Sequence, residues 1–217
     1  MKVKEVMTSP VITIGPDAAF ADAVEQLLVH DISGLPVADP EGRLLGIVTE
    51  ADLVSKEAYG YRRRRSLGLL VDLFRGRDPQ WVRKCAGLTA REVMTAAPLT
   101  ASPDEELAVA ARRMLETKHK RLPVVDNGRI VGMLSRHDLL RAYDRDDEEI
   151  ARDVKGVLAD PLRVPETHHA EATVAHGVVS LTGTVQWPSD RSLLEAIVAN
   201  VRGVVAVDNQ LHPRKPA

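Results

Sequence analysis

Two stretches of this 217-residue chain place a hydroxyl three residues ahead of a carboxylate, directly after an apolar run: Gly46-Ile47-Val48-Thr49-Glu50-Ala51-Asp52 and Gly132-Met133-Leu134-Ser135-Arg136-His137-Asp138. A hydroxyl at a helix start, backed by the free N–H groups of the first turn, suits a phosphate, and the helix dipole adds about 0.3–1 kcal/mol. Asp52 and Asp138 are placed to accept hydrogen bonds from ribose hydroxyls, each worth about 1.5–3 kcal/mol with a charged acceptor. The same Ser/Thr-x-x-acid spacing is close to a capping box, in which two side chains satisfy only the orphan N–H groups of the helix start. Residue types alone leave both readings open.

The surroundings of the two stretches differ in charge. Lys118, His119, Lys120, Arg121 and Arg136 stand where the first stretch has Asp31, Ile32, Ser33, Gly34 and Glu50. A polyphosphate is better hosted by the Ser135–Asp138 stretch; the plainer account of residues 118–121 is a solvated helix end.

Other chemistry is poorly supplied. Cys85 is the sole cysteine, so neither an internal disulfide nor a Cys-rich zinc site is available, which fits a reducing compartment. His168 and His169 are adjacent and would face opposite sides of a strand, His176 stands apart, and no metal is expected. There is no nucleophile elbow, P-loop or His-Glu-x-x-His string, so no enzyme is expected.

These residues sit in an internal repeat. Glu5-Val6-Met7-Thr8, Pro16-Asp17 and Leu35-Pro36-Val37 return 87 positions later as Glu92-Val93-Met94-Thr95, Pro103-Asp104 and Leu122-Pro123-Val124. Gly42-Arg43, Gly46 and Asp52-Leu53 return 86 positions later as Gly128-Arg129, Gly132 and Asp138-Leu139. The single deletion falls in a turn, where a hairpin tolerates it. Each copy reads as a helix opened by Pro-Asp, a hairpin (35–38 with 44–48; 122–125 with 130–134), and a helix from Thr49 or Ser135.

Residues 144–217 do not repeat the pattern. An acidic run at 144–149 leads to helix, strand, Gly177 turn, strand, helix from Trp187-Pro188, Gly203 and a last strand, an αββαβ order. Residues 56–91 hold ten Lys/Arg against three acids. There Arg62–Arg65, followed by Leu67, Leu69, Leu70, Val71, Leu73 and Phe74, reads as a basic amphipathic segment for a membrane surface, or more simply as a helix packed on its own protein. Aromatics are only 3%, too few for a stacking platform, and no nucleic acid partner is expected. No signal core or 20-residue apolar span is evident, so a cytoplasmic protein is expected.

The repeated units resemble a tandem pair of cystathionine-beta-synthase (CBS) domains, a Bateman module, carried by Val-Met-Thr, Pro-Asp, Leu-Pro-Val, the hairpin Gly and Gly-φ-φ-[Thr/Ser]-x-x-Asp. The tail resembles a BON domain through Asp160-Pro161, Gly177-Val178-Val179-Ser180-Leu181-Thr182-Gly183-Thr184-Val185 and Val201-x-Gly203-Val204. The resemblance implies an α/β (α+β) fold: CBS domains at 1–55 and 90–143, each β-α-β-β-α and packed with pseudo-twofold symmetry, a helical insertion at 56–89 and a BON domain at 144–217. It further implies clefts for an adenosyl ligand (AMP, ADP, ATP or S-adenosylmethionine) as effector, with no required cofactor. The implied site residues are Thr13, Gly34, Thr49, Asp52, Thr100, Lys120, Arg121, Ser135, Arg136 and Asp138. A homodimer through the repeats, and a protein or membrane-surface partner for the BON domain, complete the expectation. A non-enzymatic sensor is the first functional reading; a constitutive or membrane-peripheral adaptor working through the BON domain and Arg62–Arg65 is the second.

Overall fold

The computed structural model describes residues 1–58, 87–162, 164 and 169–214. Arg62–Arg65, the apolar residues 67–74, Cys85 and His168 lie outside the described residues. The chain divides into two compact units, one of residues 7–105 and 112–135, the other of residues 1–6, 106–111 and 136–217.

In the first repeat, α1 (Phe20–Val29) is followed by β1 (Gly34–Ala38), β2 (Leu44–Thr49) and α2 (Glu50–Ala58). Ala23 and Leu27, one helical turn apart, are the buried positions of α1, as a one-faced helix requires. The helix starts later than Pro16-Asp17 suggests: Ala18 N–H turns back to the Gly15 carbonyl, and Asp22 Oδ2 accepts from Ala19 N–H at 3.0 Å. Asp22 therefore supplies the start that the sequence appeared to give to Asp17. All five residues of β1 are buried. Pro36 is tolerated there because on its far side β1 meets a single parallel bridge, Ile14 to Val37, in which Pro36 only accepts, from Ile14 N–H at 3.0 Å.

A four-residue helix α3 (Ala90–Val93) and the short β3 (Thr95–Ala96) open the second repeat. Then come α4 (Leu107–Glu116), β4 (Arg121–Asp126), β5 (Arg129–Ser135) and α5 (Arg136–Arg141). Again Pro103-Asp104 lie ahead of the helix, in a turn closed by Glu105 N–H to Ser102 O. The leading strand of each β-α-β-β-α unit is one bridge only, Ile14 to Val37 and Ala101 to Val124. The two hairpins share an irregularity as well: register slips between Val37 and Ala38 and between Val124 and Val125, so Leu45 and Val131 are the extra residues.

The repeats exchange their entry segments. Thr95 and Ala96 of β3 pair with Ile47 and Gly46 of β2, while Thr8 trades two hydrogen bonds with Met133 of β5, at 2.9 and 3.0 Å. Met94 thereby crosses Gly46 and Met7 crosses Gly132; a Cβ on either glycine would lie 2.5 or 2.6 Å from the methionine sulfur. This reciprocity explains why Val-Met-Thr and the hairpin glycine recur together: each Met needs the other copy's Gly.

The tail folds as α6 (Asp147–Leu158), β6 (His169–Ala175), β7 (Val178–Val185), α7 (Pro188–Ala199) and β8 (Ala206–Pro213), the αββαβ order. β7 is central, antiparallel to β6 and parallel to β8. Ile150, Val154 and Leu158 of α6, Leu194 and Val198 of α7, and Val179, Leu181, Val185 and Leu211 of the sheet form its core. Asp146 caps α6, accepting from Glu149 N–H at 2.7 Å. His176-Gly177 turn with φ of 53° and 73°, the left-handed pair that a tight hairpin requires. No described helix is long and apolar enough to cross a membrane.

Candidate functional site

At the β2–α2 junction both sequence readings meet one carboxylate. Thr49 donates its backbone N–H and its Oγ1–H to Asp52 Oδ2, at 2.9 and 2.7 Å. The capping geometry is thus realised, and it holds Asp52 in the first turn of α2 beside the hydroxyl. Both residues are half-buried, reachable by a molecule in solution.

At the β5–α5 junction the counterpart carboxylate is more enclosed. Asp138 is 5% exposed, while Ser135 is half-buried and Arg136 exposed. The charge difference seen in the sequence is therefore joined by a difference in access: the first repeat offers its acid, the second chiefly its cations.

Register brings four of the ten expected site residues together in pairs. Gly34 faces Thr49 across the β1–β2 ladder, and Arg121 faces Ser135 across β4–β5. Thr13 and Thr100 each precede the residue that makes the single parallel bridge, Ile14 and Ala101; Thr13 is exposed and Thr100 half-buried. Lys120 is exposed and immediately precedes β4.

Arg121 joins the repeats. Its guanidinium lies along Gly34, where a Cβ would stand 2.5 Å from Cδ and Nη1, and it donates from Nη2 to Ser33 Oγ. Burial pushes the Arg121 guanidinium below its ordinary range, and the nearby Glu50 carboxylate partly offsets this. Among the described residues Arg121 forms no ion pair. A partly desolvated cation of this kind, next to a hydroxyl and a bare glycine backbone, is suited to an anion. Ser33 had no signal of its own in the sequence; it is found only because Arg121 reaches it. Ser33 and Glu50 also line a cleft of about 930 Å³ on the first repeat, whose walls are mainly α1 and α2 side chains such as Val24, Leu28, Leu53 and Val54. Among the described residues no group of three or more His, Cys, Asp or Glu side chains is arranged to hold a metal ion.

The CBS domain family matches residues 3–59 and 90–145, and the BON domain family residues 146–214. The chain belongs to the CBS family. It is a CBS-domain pair followed by a C-terminal BON domain. The chloroplastic CBS domain-containing protein CBSX2 of Arabidopsis thaliana is 33% identical over 139 residues, 59% of this chain and 57% of that protein, so the chain spans little more than half of this relative. The crystal structure of CBSX2 in complex with AMP superimposes with a TM-score of 0.51 at 30% identity, covering 65% of this chain and 94% of that one. The CBS domain pair of protein MJ0100, solved with 5'-methylthioadenosine and S-adenosyl-L-methionine, has a TM-score of 0.51 at 27% identity over 65% of this chain and 94% of that one. The mixed α/β architecture of the CBS pair agrees with these neighbours, and the BON region adds its own strands and helices.

Proposed function

We propose that this protein is a regulatory, non-catalytic sensor: an adenine nucleotide or S-adenosyl compound binds between the CBS repeats, and the change is relayed to the BON domain or to a partner. Arg121 carries the reading. Partly burying a cation with no carboxylate in direct contact costs free energy that a ligand phosphate or carboxylate would recover. Arg121 stands beside Ser33 and the Gly34–Thr49 pair, so the anion would lie one residue pair from the Thr49 hydroxyl and the start of α2. Asp52 then serves the ribose. A carboxylate has about four acceptor sites, so the Thr49 cap does not by itself exhaust it. Thr13 and Thr100 border the base or phosphate region, and the second repeat's Lys120 and Ser135 add a cation and a hydroxyl on that copy. The solved CBS pairs bound to AMP and to S-adenosylmethionine support the ligand class. The working form is a homodimer through the repeats. Relay requires only that the ligand bind one arrangement more tightly than another.

Calorimetry and thermal unfolding of the full chain with AMP, ADP, ATP and S-adenosylmethionine test the reading. At a free concentration 100 times Kd, a ligand adds about 2.7 kcal/mol of stability. Saturable binding of at least one, weakened in Arg121→Ala, is the expected result; no response to any of the four at millimolar concentration overturns it.

A further inference from the structure

A glycine of the BON unit has no use within its own fold. Among the described glycines only Gly15 and Gly156 have neither a crowded Cβ position nor a left-handed φ, and of these two only Gly156 lies in a helix, α6. Glycine weakens a helix interior, and one placed where nothing crowds it leaves room for another molecule to approach the backbone. Gly156 lines a groove of about 440 Å³ between α6 and the end of α7, whose floor is made by half-buried Val157 and Ile197 and buried Val201. Arg152, Asp153, Asp160 and Arg202 rim it. The two acids are already engaged: Asp153 Oδ2 pairs with Arg145 Nη1 at 2.6 Å, and Asp160 Oδ1 accepts from Leu162 N–H at 3.0 Å. Arg152 and Arg202 are exposed, and among the described residues neither forms an ion pair. The charge left to the groove is therefore positive, above an apolar floor.

We propose that this groove docks an acidic amphipathic helix of a partner protein. The guest lays its apolar face on Val157, Ile197 and Val201, passes closest to α6 at Gly156, and sets carboxylates against Arg152 and Arg202, whose planar forks suit them. Arg152 and Asp160 stand eight residues apart, about 12 Å at helical rise, which matches two turns of a guest helix. A bilayer is a poorer guest, because the apolar residues lie on the floor beneath a charged rim, where a flat surface does not reach. The proposal rests on the reading that the BON domain communicates with a partner and names the surface that does so; it does not depend on which nucleotide the CBS pair holds.

A phage-displayed library of short amphipathic helices tests it, with Leu and Ala fixed on one face and Glu, Gln or Lys allowed at the flanking positions, selected on the full chain. Glu is expected to be enriched over Lys at those positions. The selected peptides, labelled with fluorescein and titrated by anisotropy, are expected to bind about tenfold or more weakly to Arg152→Glu with Arg202→Glu, and as weakly to Gly156→Leu, which fills the groove. Gly156→Leu also replaces glycine by a good helix former, so its urea midpoint is expected to hold or rise, which separates lost docking from lost folding. No enrichment, enrichment of Lys, or peptides that bind Gly156→Leu as well as wild type overturns the proposal. Co-sedimentation with phosphatidylglycerol vesicles that the same charge reversal abolishes would make the groove a membrane contact and overturns it too. Loss of nucleotide binding in Arg121→Ala with peptide docking intact shows that the two readings stand or fall separately; docking that vanishes in Arg121→Ala while Gly156→Leu still docks places the peptide elsewhere and overturns the groove.

Discussion

Gly34 and Arg121 occupy the same position of the two repeats, 87 residues apart, and they touch: the Arg121 side chain lies where a Gly34 Cβ would project, 2.5 Å from Cδ and Nη1. One copy has given up its side chain so that the other can lay a cation across the junction.

Gly34→Ala therefore acts on Arg121 rather than on the local backbone. The new methyl displaces the guanidinium from Ser33, at a cost of about 1–3 kcal/mol because the mid-chain Cδ must move along with the guanidinium. In an Arg121→Ala background the same substitution is expected to be nearly neutral. A double-mutant cycle by urea unfolding measures the coupling, and additivity of the two changes would show that the contact carries no energy.

Asp52→Ala removes the acceptor of both Thr49 hydrogen bonds and leaves α2 without its cap, costing about 1 kcal/mol. It is also expected to weaken AMP binding by tenfold or more, the loss of a charged acceptor worth about 1.5–3 kcal/mol. Asp138 is the more buried of the pair, so Asp138→Ala is expected to appear first in stability, about 1–3 kcal/mol. Calorimetric titration and urea unfolding on the same samples separate the two effects.

Gly46→Ala and Gly132→Ala drive a methyl into Met94 and Met7. A flexible thioether can yield, but behind Met94 the Thr95 carbonyl is 2.8 Å from the new atom, against 3.1 Å for the Thr8 carbonyl at Gly132. Both are expected to destabilise by about 1–3 kcal/mol, with Gly46→Ala the worse. Denaturation midpoints at constant m-value check the order.

Asp147 sets an acid limit on the BON unit. Its two carboxylate oxygens accept from His176 N–H and Gly177 N–H, each at 2.8 Å, and these bonds hold it below its ordinary value of 3.8, with Gly177 the larger contributor. A carboxyl with a lowered folded pKa stabilises fully above the unfolded value and loses that contribution as pH falls through the folded one. Asp147→Asn is therefore expected to destabilise near neutrality and to flatten the decline in stability below pH 3.8. Urea midpoints measured across that range, wild type against variant, would show parallel curves if the carboxylate had no such role.

Much of the fold was legible because the repeat is written twice. Matching Leu-Pro-Val, Gly and Asp positions located both hairpins and the helices after them, and alternation gave the αββαβ tail in order. Helix starts were less legible: Pro-Asp marks a turn ahead of α1 and α4, since the carboxylate that caps Ala19 belongs to Asp22. The paired register slips at Leu45 and Val131 leave no mark in residue type, because either residue suits a strand whether or not it is paired.

For the candidate site, local spacing was informative up to the length of a helical turn. Thr49 and Asp52 are three residues apart, so their contact follows once the helix begins. Arg121 and Ser33 are 88 residues apart, and their contact depends on the exchange of entry segments that puts Thr95 on Ile47 and Thr8 on Met133.

The amino-acid order alone determined the duplication, the hydroxyl and carboxylate of each copy, and the opposite charges of the two helix pairs, because these are properties of residue type and spacing. Tertiary structure decided which acid is accessible, which glycine must remain bare, and where the Arg121 cation is spent. Those depend on contacts between segments far apart in the chain, where packing a side chain against one surface excludes it from every other.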